Sequence, residues 1–224
     1  MNNLIKYLFG QSEMSTASSI SEMEYFENVV DSLETPELSN DPQQTQPSLF
    51  NVMSSFQVNC KLNLRNISQQ AKNCVYNPKK FSAVILTIAN PSATALVFQT
   101  GVIRVMGTKT VADSKIASKK FAKIIKKLGY DVHYSHFKVT NLMAVSNLHF
   151  NISMMKLNDY LDGSLYEPEC YAGLVYKMVE PKMTIIVFRT GKVVFCGTQD
   201  EQSINEAYHK MYNVLLAHKK VPIM

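Results

Sequence analysis

The sequence predicts an α+β fold in which two pseudo-symmetric repeats form one curved, antiparallel, ten-stranded sheet with four helices on its convex face. Three observations predict it. The chain repeats itself at a fixed offset of 90 residues. Each repeat carries short apolar strands joined by tight turns, followed by one amphipathic helix. The strands are apolar on both sides, so a second face needs a cover.

The offset is plainest in two phrases, TALVFQTG from Thr94 to Gly101 and TIIVFRTG from Thr184 to Gly191. The same register relates Asn51 to Asn141, Met53 to Met143, Tyr76 to Tyr166, Pro78 to Pro168, Pro91 to Pro181 and Gly107 to Gly197, with no gap. Matches of Pro, Gly and aromatic positions in one register mark an internal repeat. The domains are read as 1–48, a disordered acidic segment and linker, then 49–137 and 138–224 as the two copies.

In the first copy, FNVMSSFQVNCKLNL reads as extended and NISQQAKN as a short helix. NPKK turns into the β-branched run FSAVILTIA. NPSA breaks to TALVF, and QTG turns to VIRVMG. The short connections make these strands antiparallel. A helix is expected from about Asp113 to Leu128. Ala117, Phe121, Ile124, Ile125 and Leu128 form one stripe on it, and Gly129 is placed to end it. In the second copy YAGLVYKMV, TIIVF and VVFCG fill the same slots. The closing helix is expected from near Ser203, with Ile204, Ala207, Tyr208, Met211 and Leu215 on one face. Ten twisted strands tend to curl. Helices on the convex side leave an apolar concave side awaiting a partner.

Composition sets bounds on partners and compartment. Of 23 Lys and Arg and 18 Asp and Glu, residues 1–48 hold eight acids but one base, Lys6, leaving a strongly basic body. An acidic front on a basic body suggests a polyanion partner for the body. The front also holds an aromatic patch around Tyr25 and Phe26, and one reading folds it over the concave face in competition with that partner. Cys60, Cys74, Cys170 and Cys196 fit neither a zinc nor a disulfide spacing and suggest a reducing compartment. No apolar run has the length of a membrane span, and no signal peptide is expected. The five histidines, among them His133 and His136, lack a third partner in any metal pattern. No P-loop, nucleophile elbow or HExxH is present. A non-enzymatic protein without cofactor or metal is expected.

The runs YNPKKFSAVILTIANPSATALVFQTG and YEPECYAGLVYKMVEPKMTIIVFRTGKVVFCG resemble the two halves of the TATA-box-binding protein family core, over about 49–222. The resemblance implies a saddle whose concave sheet sits in the minor groove of A/T-rich promoter DNA. It implies a nuclear general transcription factor that bends DNA and nucleates assembly of the initiation complex. On the same basis Asn51 and Asn141 match central asparagines that donate to base acceptors. Phe81 with Phe98, and Tyr171 with Phe188, match two pairs of kinking aromatics; Tyr171 stands where phenylalanine is usual, and Ala172 replaces the following proline. Leu96, Ile186 and Val194 belong to the apolar floor. Met53 and Met143 stand where valine is common, Met106 and Cys196 where threonine is usual, and Arg104 where a small apolar residue is usual. A narrow A·T groove is negative enough to admit an arginine. Lys79, Lys80, Lys177 and Lys192 match basic rim positions for phosphates, while Thr87 replaces an arginine. The resemblance further implies docking of general transcription factor IIA on the region of Lys115, Lys119, Lys120 and Lys123, and of general transcription factor IIB at Glu167 and Glu169. Self-association without DNA stays open. The alternative is a TATA-box-binding-protein-related factor with weak TATA preference that works chiefly through protein partners.

Overall fold

The structure, a computed structural model, describes residues 45–79 and 81–220. Lys80 and the acidic front up to residue 44, with its Tyr25 and Phe26 patch, lie outside the described residues. Residue contacts divide the chain into two compact units, one of Phe50–Asn141 and one of 45–49 with 142–220.

The first unit is built from β1 (Ser48–Gln57), α1 (Leu64–Gln70), β2 (Cys74–Val75), β3 (Val84–Ala89), β4 (Ser92–Val97), β5 (Val102–Thr108) and α2 (Val111–Lys127). Its strands lie in the order β2-β3-β4-β5-β1, each pair antiparallel. After β6 (Ser135–Asn147), the second unit adds α3 (Met154–Tyr160), β7 (Leu174–Met178), β8 (Met183–Val187), β9 (Lys192–Thr198) and α4 (Glu201–Ala217). Its order is β6-β9-β8-β7, again antiparallel.

Nine strands form among the described residues where ten were expected. The missing one is the counterpart of β2. In the first repeat Cys74 and Val75 pair with Leu86 and Ile85. In the second, the pairing shrinks to one bridge between Leu165 and Val175. Ser164 donates to the Asn158 carbonyl at 3.2 Å and Cys74 to the equivalent Ser68 carbonyl at 3.4 Å, so this tie to the preceding helix is common to both repeats and does not account for the difference.

The repeated glycine after each F-x-T has a direct cause. Gly101 and Gly191 turn the chain at φ +86° and +88°. A Cβ at Gly101 would collide with the Cys60 carbonyl, and one at Gly191 with the Phe150 carbonyl. The turn thus excludes every other residue twice over.

Helices start earlier than periodicity suggests because their caps are polar. Thr110 accepts from the Asp113 amide at 3.0 Å and opens α2 at Val111. Asp200 accepts from the Ser203 amide at 3.1 Å and opens α4 at Glu201; that bond holds its carboxyl below the usual range. Asn63 accepts from the Asn66 amide at 3.1 Å and opens α1 at Leu64, a residue read as extended from sequence. Each cap satisfies an otherwise orphaned amide.

Ala117, Phe121 and Ile125 of α2 pack on Val84, Leu86, Ala95, Val97, Ile103 and Val105. Phe121 is fully buried. Its replacement in Phe121→Ala will lower unfolding free energy by about 3–5 kcal/mol, read from urea midpoints.

Each long helix is also tied to a strand turn. The Lys120 ammonium donates to the Asn90 carbonyl oxygen, and Lys210 donates to the Glu180 carbonyl oxygen at 2.9 Å. Both carbonyls precede proline in a cis peptide, Asn90–Pro91 and Glu180–Pro181. The two tethers are related by the repeat offset.

Candidate nucleic-acid interface

Side chains alternate across each sheet, and the helices take one face. In β1, Ser54 bonds Ser114 of α2 through their hydroxyls at 2.7 Å, and Phe56 joins the helix-side core. Asn51, Met53 and Ser55 therefore occupy the other face. In β4 and β5 the helix side takes Ala95, Val97, Ile103 and Val105. The opposite side takes Leu96, Arg104 and Met106. There Phe81, Ala83, Leu96 and Met106 form a separate cluster, with Met53, Ile85 and Phe98 packed against it. Seven of the residues assigned to DNA contact from sequence thus share the helix-free face of the first unit.

The second unit repeats the arrangement. Val194 lies between Val145 and Ile186, and Cys196 between Met143 and Thr184, in register across three strands. Phe195, the neighbour between them, points the other way and meets Tyr208 of α4, ring centroids 6.3 Å apart.

The two aromatic pairs have nearly the same geometry. Phe81 and Phe98 meet edge to face, centroids 6.3 Å apart at 73°. Tyr171 and Phe188 meet at 6.1 Å and 66°. All but Phe81 are half-buried. Gly173 cradles the second pair: a Cβ there would lie 2.7 Å from the Tyr171 ring, 2.8 Å from Ile186 and 3.2 Å from Phe188. Its counterpart in the first repeat is Ala83.

The pairing of β1 with β5 slips by one residue opposite Val52 and Ser54, and that of β6 with β9 slips at Leu142 and Met143. Gly107 and Gly197 occupy these bulges at φ +93° and +99°. The first bulge turns the Gly107 amide onto the Asn51 side-chain oxygen at 2.8 Å. With Oδ1 accepting from Gly107, the end of Asn51 suited to a base acceptor is its Nδ2 donor. The Asn141 amide nitrogen points to the Met53 sulfur at 3.8 Å.

An exposed floor was expected, and the structure corrects this. Ile186 and Val194 have no exposed surface, Met106 has 3% and Leu96 5%. Part of the reason is local, since Met53 and Met106 fill the gaps among Phe81, Leu96 and Phe98. Phe98, Arg104, Tyr171 and Phe188 keep part of their surface.

Cys196 is fully buried, which pushes its thiol up to about 12, and its sulfur lies 3.6 Å from the Thr184 carbonyl oxygen. The neutral thiol is favoured in the fold. Between the ordinary thiol range near 9 and about 12 the unfolded chain ionises and the native one does not, so this contribution is present below pH 9 and lost above it. Urea midpoints will fall between pH 8 and pH 10, and Cys196→Val will flatten that fall.

The pattern of the family described as "Transcription factor TFIID (or TATA-binding protein, TBP)" matches residues 46–128 and again 136–218. The chain belongs to the TATA-binding protein family. It is similar to "TATA-box-binding protein 2" of Entamoeba histolytica, 47% identical over 94% of this chain and 99% of that one. It is 40% identical to the "TATA-box-binding protein" of Schizosaccharomyces pombe over 78% of this chain and 76% of that one. Among solved structures it resembles Methanococcus jannaschii TBP, with TM-score 0.67 and 27% identity over 77% of this chain and 99% of that one. The two-repeat α+β fold of the TATA-binding protein family is the fold of this chain.

Charges around these family faces are placed by strand register. Lys192 shares the side of β9 that carries Val194 and Cys196, and burial holds its ammonium below the usual lysine range. Lys177 lies opposite Thr184 on the same side of the edge strand and is exposed. Lys79, Glu167 and Glu169 are exposed in turns. Lys115, Lys119 and Lys123 are exposed along α2, whereas Lys120 reaches the Asn90 carbonyl. Sequence reasoning missed that tether, and it missed the role of Gly107 in aiming Asn51. The signal for both was the offset itself, which pairs Lys120 with Lys210 and Gly107 with Gly197.

Proposed function

We propose that this chain is a general transcription initiation factor that binds TATA-like, A/T-rich promoter DNA through the minor groove, in the nucleus, without catalysis or cofactor. The helix-free face of each repeat lies against the groove. A minor groove presents A N3 and T O2 acceptors and little else, so an apolar surface with a few donors fits it. The Nδ2 groups of Asn51 and Asn141 supply donors. Phe98 and Phe188, each braced by a second ring, enter base steps and unstack them, which bends the duplex. Lys79, Lys80, Lys177 and Lys192 meet phosphates, so affinity falls with salt. The bent complex then nucleates initiation-complex assembly, with general transcription factor IIA at the lysines of α2 and general transcription factor IIB at Glu167 and Glu169.

The observation that carries this reading is the matched pair of aromatic couples on the helix-free faces, at 6.3 and 6.1 Å. The test is a gel shift on A/T-rich and G/C-rich duplexes built as bend-sensitive probes. Selective binding with a mobility change that depends on bend position supports it; equal affinity for both duplexes rejects it. A second reading, a related factor with weak TATA preference acting through protein partners, is favoured by Arg104, Met106, Tyr171 and Cys196 at floor and wedge positions. It is the outcome when both duplexes bind equally and partners alone confer promoter selectivity. Deleting residues 1–45, which hold eight of the 18 acids and one base, will raise the association rate with DNA; stopped-flow rates that do not change refute an inhibitory front.

A further inference from the structure

The two helix-free faces carry their charge in different places: the first has Arg104 among its floor residues, and the second has Lys177 on its edge strand and Lys192 at the start of β9. Arg104 sits in β5 with Leu96 on one side and Ser55 on the other, in register. Its guanidinium carbon lies over the Phe98 ring, 5.5 Å from the centroid. The position 90 residues on is Val194, fully buried between Ile186 and Val145. At this register position the first repeat thus offers a groove a cation stacked on its wedge ring, and the second offers no exposed side chain.

We propose that Arg104 fixes the direction in which the chain sits on an asymmetric duplex, by placing the first repeat on the half that is purely A·T. The inference rests on the minor-groove reading above. A guanidinium has five N–H donors and no acceptor. Opposite an A·T pair it meets only acceptors; opposite a G·C pair it meets the guanine N2 amino group, a donor. The narrow, negative groove of an A·T tract adds attraction for the charge. Stacking on Phe98 holds the planar group beside the kinked step, where these edges are read. Val194 has no exposed surface and carries no donor, so the second repeat makes no such distinction at this position. The two repeats therefore rank the same base pair differently, and that difference is a direction.

The test uses a duplex with one half purely A·T and one G·C pair in the other half. An iron chelate on the exposed Cys170, in a Cys60→Ser, Cys74→Ser background with Cys196 buried, cleaves the strand end nearest the second repeat. We expect cleavage at one end to exceed the other about ten-fold, the scale of discrimination by one donor pairing. In Arg104→Val, which copies the second repeat, the ratio falls towards one; Arg104→Lys keeps part of it. An unchanged ratio in Arg104→Val overturns the proposal. A measurement without that variant replaces the G·C pair by inosine·C, which lacks the amino group. The ratio then also falls towards one, and a ratio equal to that with G·C overturns the proposal. If the parent chain shows no preference for A/T-rich over G/C-rich duplex, the minor-groove reading itself has failed.

Discussion

A chain carrying Phe98→Ala and Phe188→Ala will bind an A/T-rich duplex about 2–4 kcal/mol more weakly, roughly 30- to 1,000-fold, and will no longer bend it. Each ring is half-buried in an edge-to-face couple. Its removal deletes the only group of that couple that sits at the end of a strand leading into the F-x-T-G turn. Both turns keep their backbone bonds, Gly101 to Phe98 and Gly191 to Phe188, each at 3.0 Å, because these use the main chain. Stability should drop less than for the buried Phe121, so thermal melts separate folding from binding. Circular-permutation mobility reads the bend. A full bend in the double variant would reject these rings as wedges.

Asn51→Asp should be nearly as damaging, and it is the cleaner experiment. The replacement keeps an oxygen for the Gly107 amide, now 2.8 Å from Oδ1, so the bulge retains its bond. What changes is the other end of the side chain. A donor becomes an acceptor, and a negative charge faces a groove lined by acceptors and flanked by phosphates. Two acceptors in contact leave both unsatisfied, and a charge raises the penalty. We expect a loss of at least about 3 kcal/mol in DNA affinity, measured by fluorescence anisotropy, together with a lower melting temperature, because the carboxylate replaces a buried side chain. Asn51→Ala should lose less affinity, although it orphans the Gly107 amide. Equal affinity in Asn51→Asp and the parent chain would show that the asparagine only serves the bulge.

Much of the fold was legible because the chain states it twice. A single Phe-x-Thr-Gly is an ordinary turn; two of them 90 residues apart, each closing on a carbonyl that leaves no room for a Cβ, identify a unit. Alternation correctly placed Leu96, Arg104 and Met106 on one face, and Ile186 with Val194 on its equivalent. Helix stripes were read correctly and helix starts were not, since Thr110, Asn63 and Asp200 act through side-chain oxygens that carry no periodicity. The tenth strand is reduced to a single bridge, Leu165 with Val175, and apolar patterning does not distinguish one bridge from a two-residue strand. Burial of the floor was also illegible. It depends on how thioethers fold over their neighbours, and three unbranched torsions per methionine leave that open until packing decides it.

The lysine tethers have one more implication. Lys120 and Lys210 reach main-chain oxygens, and the residues that own those oxygens, Asn90 and Glu180, share no side-chain chemistry. An acceptor that every amino acid carries cannot be lost by exchanging the residue that presents it. All the vulnerability of each brace is thus concentrated at the ammonium end, and the turn itself is left at liberty to vary in composition while the helix remains strapped to it.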